Sequence, residues 1–298
     1  MNDAATTAEV ASRADAERGR PRIGFIGLGS QGGPMARRII ESGYSTTLYA
    51  RRNATLEPFL GSGVDCATSP AALGRVSDLV CLCVVDDSGL ESVVLGDDGV
   101  LAGMAPGSAI AIHSTVRPET CRRLAEAAAK VGVEVIDAPV SGGGPGAEAG
   151  TLLVMTGGDE ATVDRFRPVF ASYADSVVHL GPLGAGQNTK LLNNTLFTAN
   201  LATAAGIFSA GSDLGVDPKN LSTVLARGSG ASFAAAVVGA SRGDLSAMSS
   251  TAGPLLRKDV EILVEVLGGN ESLRGAVWAL VDSALTDMAH PRAIENSE

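Results

Sequence analysis

Lysine is scarce in this 298-residue chain: Lys130, Lys190, Lys219 and Lys258 are four of 23 basic side chains. Each is informative, because a desolvated lysine can titrate near neutrality and an arginine cannot. Basic charge as a whole falls short, with 33 acidic residues and a net charge of −10. That balance repels a phosphate backbone and argues against nucleic acid as a partner. Any anionic ligand has to be held by a local cluster of donors. Cysteine is sparse too. Cys66, Cys81, Cys83 and Cys121 show no C-x-x-C spacing and no neighbouring histidine pair, so free thiols in a reducing compartment are expected and a metal site is not. No apolar run approaches the roughly 18–20 residues that cross a bilayer, and Leu79–Val85 is strand-length, so no membrane partner is expected. The polar, Ala-rich segment from Met1 to Arg20 has no apolar signal core. It reads as a disordered tail of a soluble protein with a cytoplasmic address.

What is present is a globular composition, with 45% apolar and 19% charged residues. The length suits two domains at roughly 150 residues each. Short apolar runs at Arg22–Gly27, Ser45–Ala50, Leu79–Val85, Ala109–Ser114 and Val133–Ala138 predict strands. Helices are expected at Gly32–Ser42 and Glu119–Val131. This alternation predicts an α/β half with a parallel sheet covered on both faces. After the glycine-rich connector Gly181–Gly186 come only helical patterns: Gln187–Leu214, Asp217–Ala226, Ser232–Val238, Pro254–Leu267 and Glu271–Met288. The expected organisation is a tail over 1–20, an α/β domain over 21–184 and an all-α domain over 185–298.

Between the first strand and first helix stands Gly27-Leu28-Gly29-Ser30-Gln31-Gly32, a G-x-G-x-x-G in the context a dinucleotide site requires. Gly27 permits the tight turn, Gly29 lets the pyrophosphate approach the backbone, and Gly32 lets helix and strand pack closely. After the second strand the chain reads Leu48-Tyr49-Ala50-Arg51-Arg52-Asn53. A carboxylate there would accept the 2′-hydroxyl of NAD; two arginines instead favour the 2′-phosphate of NADP over NAD. Ser141, Gly142 and Gly143 follow another strand and offer a hydroxyl and unhindered N–H groups that suit a small carboxylate. Lys190 and Asn194 share a helix face at i, i+4, where an ammonium and an amide could polarise one substrate oxygen. Taken alone, such a pair is more often simply solvated. His113 sits at a strand end as a tempting general base, although a lone histidine in an apolar strand is more often structural.

Together these segments resemble the β-hydroxyacid dehydrogenases, the 3-hydroxyisobutyrate dehydrogenase-like branch of the 6-phosphogluconate dehydrogenase superfamily. The resemblance runs from about Arg22 to Val266. It is carried by Gly24-Phe-Ile-Gly-Leu-Gly29 with Gly33-Pro-Met-Ala36, Asp137-Ala-Pro-Val-Ser-Gly-Gly143, Gly150-Thr-Leu with Gly157-Gly158, Gly186-Gln-Asn-Thr-Lys-Leu-Leu-Asn-Asn194, and Lys258-Asp259. It implies a Rossmann-type doubly wound sheet followed by an all-α domain that buries its central helix in a homodimer or homotetramer. It further implies that Lys190 is the catalytic acid/base, that Asn194 orients the substrate, and that Ser141–Gly143 hold its carboxylate. Val84, Val85, Thr115 and Lys258 would lie along the cofactor, and Arg51 is the arginine associated with NADP use. Gln31 and Arg38 depart from the pattern, which usually has Met and Asn there. The family's usual closing G-x-G-x-x-D-x-S segment is not recognisable in His290–Glu298.

The activity so implied is hydride transfer between NADP(H) and a small 3-hydroxy acid or its semialdehyde. Candidate substrates are 3-hydroxyisobutyrate, 3-hydroxypropionate, glycerate and serine. An imine reductase on the same scaffold would carry Asp or Tyr at Lys190. A non-catalytic NADP-binding relative would tend to lose the lysine and gain basic segments. Neither pattern is seen.

Overall fold

The computed structural model describes residues 19–61, 63–268, 273 and 275–292. All but the last two residues of the expected tail, and the end of the closing segment, lie outside them. Nine strands are present among the described residues: β1 Ile23–Ile26, β2 Thr46–Tyr49, β3 Asp65–Cys66, β4 Leu79–Leu82, β5 Ala109–Ile112, β6 Glu134–Asp137, β7 Val140–Ser141, β8 Leu152–Thr156 and β9 Ala174–His179. The helices interleaved with them are α1 Gly32–Glu41, α2 Pro70–Arg75, α3 Asp87–Leu95, α4 Pro118–Ala129, α5 Gly143–Ala149 and α6 Glu160–Phe170. Beyond them run α7 Ala185–Asp213, α8 Pro218–Leu225, α9 Phe233–Ala240, α10 Gly253–Leu267 and α11 Gly275–Asp287.

The first six strands form one all-parallel sheet in the order β3-β2-β1-β4-β5-β6. This is the doubly wound order, whose reversal point lies between β1 and β4. Because side chains alternate along a strand, each strand feeds two cores. Ile23, Phe25, Leu79, Cys81, Ala109, Ala111 and Ile136 pack with Met35, Ala36 and Ile39 of α1 and Phe166 and Phe170 of α6. Ile26, Val80, Leu82, Ile110, Ile112 and Val135 pack on the other face with Leu90 and Val94 of α3 and Leu124 of α4. Helix ends carry their own signals. Asp86 caps α3 by accepting the Gly89 N–H at 2.8 Å, Asp159 caps α6 through Thr162 N at 2.9 Å, and Pro118 opens α4.

The strands are shorter than their apolar runs. The runs Leu79–Val85 and Ala109–Ser114 leave the strand after Leu82 and Ile112. Their last residues form the loops on the sheet's C-terminal edge. A second sheet, β7-β8-β9, was not foreseen; β7 pairs antiparallel and β9 parallel with β8. The last helix is described from Gly275 to Asp287; Glu271, where the sequence suggests its start, lies outside the described residues.

The chain divides into two compact units after Lys190, whereas the sequence suggests a border at 184/185. The first unit retains the opening of α7 because Asp137, Ser114 and Val116 hydrogen-bond to its first residues. The second unit has its own core, in which Leu201 and Phe208 of α7 meet Val238 of α9, Val260 of α10 and Val281 and Leu285 of α11. No helix among the described residues is long and apolar enough to cross a membrane.

Candidate active site

Parallel pairing places Tyr49, Ile26, Leu82, Ile112 and Asp137 in one row across the sheet. Most of the sequence-predicted residues of the first unit follow directly beyond this row. Gly27–Gly32 come after Ile26, Arg51 and Arg52 after Tyr49, Val84 and Val85 after Leu82, Thr115 after Ile112, and Ser141–Gly143 after Asp137. The C-terminal ends of such strands, at the reversal point, are where open α/β sheets bind ligands.

The glycine turn meets the steric demands that its pattern implies. Gly27 has φ +100°, and a side chain on it would overlap the Cys83 carbonyl oxygen. A side chain on Gly32 would overlap the Gly27 carbonyl oxygen. Gly29 is exposed and faces open space, with nothing within 4 Å of where a Cβ would stand. Leu28 is buried beside it, Ser30 is exposed, and the half-buried Gln31 precedes α1 without capping it through its side chain. An open centre, backbone walls and a helix start free of a side-chain cap fit the pyrophosphate of a dinucleotide.

On the neighbouring strands, Arg51 and Arg52 are exposed and make no ion pair among the described residues. Val85 is 72% exposed despite its apolar side chain, whereas Val84 is half-buried and its N–H donates to Ser114 Oγ at 2.8 Å. Thr115, also half-buried, follows that serine. Gly142 and Gly143 adopt φ +126° and +63° and are exposed, with Ser141 half-buried at the end of β7. A Cβ on the adjoining Gly144 would lie 2.9 Å from the Ser30 carbonyl oxygen. The structure thus brings the Ser141–Gly144 loop against the glycine turn. Arg38 lies with its guanidinium over Gly150, where a side chain would overlap it.

Two further predicted residues belong to the second unit. Asn194 donates through Nδ2 to Asp259 Oδ2 at 2.6 Å, and Lys258 Nζ lies 3.3 Å from Asp259 Oδ1. Asp259 is 3% exposed and joins the two. Sequence reasoning had Asp259 only as the companion of Lys258, with no signal for its bond to Asn194. Lys190 is buried in the first unit, one turn before Asn194 on α7.

His113 is structural. It is buried, with Nδ1 2.7 Å from the Ala138 carbonyl oxygen and Nε2 3.2 Å from the Tyr173 hydroxyl, and its ring stacks near Phe25. Burial pushes its pKa down to about 4, although the Ala138 carbonyl favours the charged form. Among the described residues no group of three or more His, Cys, Asp or Glu is placed to hold a metal ion.

A doubly wound sheet with a glycine-rich first turn and an open C-terminal edge defines a dinucleotide-binding fold, and the comparisons with known proteins identify it as that of a nicotinamide-dependent oxidoreductase. Residues 22–181 match the family described as the NAD binding domain of 6-phosphogluconate dehydrogenase. Residues 184–287 match the NAD-binding domain of NADP-dependent 3-hydroxyisobutyrate dehydrogenase. The NAD-dependent L-serine dehydrogenase of Pseudomonas aeruginosa is 35% identical over 213 residues, 72% of each chain. The 3-hydroxyisobutyrate dehydrogenase of the same organism is 37% identical over 212 residues, 71% of each chain. A solved structure of Psf3 in complex with NADP+ and 2-OPP is 27% identical with a TM-score of 0.79, covering 91% of this chain and 96% of that one. The protein belongs to the β-hydroxyacid dehydrogenase family. It is an NAD(P)-dependent oxidoreductase acting on CH–OH donors.

Proposed function

We propose that the protein interconverts a small 3-hydroxy acid and its semialdehyde, with NADP(H) as the preferred cofactor. The observation that carries this reading is the approach of the Ser141–Gly144 loop to the glycine turn at Ser30. It sets donors suited to a carboxylate beside the backbone suited to a pyrophosphate. A nicotinamide held there would supply the hydride acceptor or donor. Gly27, Leu28, Gly29, Ser30, Gln31 and Gly32 hold the pyrophosphate; Arg51 and Arg52 take the 2′-phosphate. Val84, Val85, Thr115 and Lys258 line the cofactor.

Ser141 Oγ and the N–H groups of Gly142 and Gly143 bind the substrate carboxylate and so fix which carbon faces the ring. Lys190 acts as the general acid/base: it takes the hydroxyl proton as the alcohol is oxidised and returns it on reduction. Its side chain is buried, which limits the access of bulk water to the group that exchanges the proton. Asn194, one turn further along α7, orients the same oxygen, and Asp259 holds its amide in place.

The dinucleotide-binding domain corresponds to residues 21–184 and a helical substrate and dimerisation domain to 185–298. Exposed Leu192, Leu196 and Ile207 on α7 support burial of that helix in a homodimer or homotetramer. Four thiols without disulfides suit the cytoplasm.

The test is a cofactor titration followed by turnover of NADP+ with L-serine, 3-hydroxyisobutyrate, 3-hydroxypropionate and glycerate. Lys190→Ala should bind NADPH as the wild type does and lose about 10²- to 10⁴-fold in kcat. Unchanged turnover in that variant would remove Lys190 from the mechanism.

A further inference from the structure

Asp137 ends β6 and is fully buried. It makes no ion pair among the described residues. Its carboxylate instead accepts backbone N–H groups from the residue just before α7 and from its first turn. Oδ1 accepts from Gly184 at 2.8 Å and Oδ2 from Gln187 at 2.7 Å. The first N–H groups of a helix have no partner within it, and they carry the positive end of its dipole. Asp137 supplies their acceptor from 47 and 50 residues away in the chain.

The surroundings leave room for this carboxylate and little else. A side chain on Gly157 would overlap Oδ1, and a Cβ on Gly186 would stand 2.9 Å from Oδ2 while overlapping the Met155 carbonyl oxygen. Burial raises the pKa of Asp137, and the amides of Gly184, Gln187 and Gly186 oppose that rise.

A second tie joins the same turn to a different strand's end. The Gln187 side chain is fully buried; its Oε1 accepts the Val116 N–H at 3.1 Å and its Nε2 donates to the Ser114 carbonyl oxygen at 2.8 Å. The first turn of α7 is therefore fixed both to the end of β6 and to the loop after β5. Lys190 stands three residues past Gln187, within the next turn of a rigid helix that rises about 1.5 Å per residue. Both the height and the rotational phase of Lys190 are set by these bonds.

We propose that Asp137, together with Gln187, is a positioning residue for Lys190, rather than only a fold-stabilising contact. The proposal rests on Lys190 being the acid/base group. A misplacement of about 1 Å in a reacting group lowers turnover by about 10²-fold. Breaking the Asp137 anchor should therefore act on the proton-transfer step and spare cofactor binding.

The test compares Asp137→Asn, Lys190→Ala and the double variant. Each is assayed for NADPH affinity by fluorescence, for turnover on the fastest substrate of the panel above, and for hydrogen exchange in the peptide spanning residues 184–190. The expected result has four parts. Asp137→Asn lowers kcat by about ten- to hundredfold, keeps the NADPH Kd within twofold, speeds exchange in that peptide, and adds no further loss in the Lys190→Ala background. A further loss of the same size in that background would overturn the proposal, because Asp137 would then not act through Lys190. Faster exchange with unchanged kcat would overturn it too, leaving a contact of the fold alone. If Lys190→Ala by itself keeps full turnover, the acid/base reading fails, and the exchange result still reports whether Asp137 anchors the helix. Should Asp137→Asn not fold, Gln187→Met, which leaves the carboxylate in place, takes its position in the same cycle with the same expected and overturning results.

Discussion

Gly27 and Cys83 meet backbone to backbone: any side chain on Gly27 would overlap the Cys83 carbonyl oxygen, and Gly27 itself sits at φ +100°. Cys83 N in turn donates to the Ile26 carbonyl oxygen at 2.9 Å, which extends the β1–β4 pairing past its last row. The reversal point of the sheet is thus closed at Gly27 and open two residues later at Gly29. The two glycines serve different ends, and substitution separates them. Gly27→Ala should lower unfolding free energy by about 2 kcal/mol or more, through strain and overlap. Gly29→Ala should leave urea stability unchanged and weaken NADPH binding, because its methyl would occupy space left for the ligand. Urea titrations and NADPH titrations of both variants read the difference.

Arg51 decides cofactor choice in our reading. A hydrogen bond to a charged group contributes about 1.5–3 kcal/mol, on the order of ten- to hundredfold in affinity. Arg51→Asp should therefore narrow or invert the NADP-to-NAD ratio of kcat/KM. Salt should weaken NADP binding more than NAD binding, because the arginine is exposed and its field is screened. Equal affinity of the wild type for both cofactors would remove the phosphate-reading role.

His113 makes stability depend on pH in a defined window. Its folded pKa is depressed from 6.5 to about 4. Above pH 6.5 both folded and unfolded forms are neutral and its full contribution is present. As pH falls towards 4 the unfolded chain takes up a proton that the folded core refuses, so stability drops by on the order of 3 kcal/mol. Urea midpoints at pH 7 and pH 5 should show the decline. In His113→Gln the part of the decline due to this ring should vanish, while NADPH binding persists.

Asp259 holds the Asn194 amide and the Lys258 ammonium at once. In Asp259→Ala the Asn194 amide and the Lys258 ammonium both lose the carboxylate they share, which should cost about 1–3 kcal/mol of stability. Asp259→Asn should cost less, since an amide oxygen can still accept from Asn194. Turnover should fall in both, most in the alanine variant, and a kinetic comparison alongside urea titration checks it.

The alternation of short apolar strands with amphipathic helices was enough to determine a parallel sheet covered on both faces, because period-2 and period-3.6 patterns are local properties of the chain. The glycine turn was equally legible: the requirement for missing side chains at Gly27 and Gly32 is written in residue type. Helical segments after residue 184 could be read for the same reason. Where the strands stop could not be read, since the apolar run continues past Leu82 through Cys83–Val85, and no turn residue separates Ile112 from His113–Ser114. Only pairing with neighbours ends the ladder at Leu82 and Ile112. The second sheet was hidden because β7 is two residues long and acquires its structure from β8. The same holds for the bonds that join distant residues. Nothing local marks Asp137 as the acceptor for Gly184 and Gln187, or Asp259 as the acceptor for Asn194, since these partners lie 47, 50 and 65 residues apart. Residue type determined what each side chain could do, and tertiary packing decided which buried carboxylate met which amide, because a buried acceptor must be satisfied by whatever donor the fold brings to it.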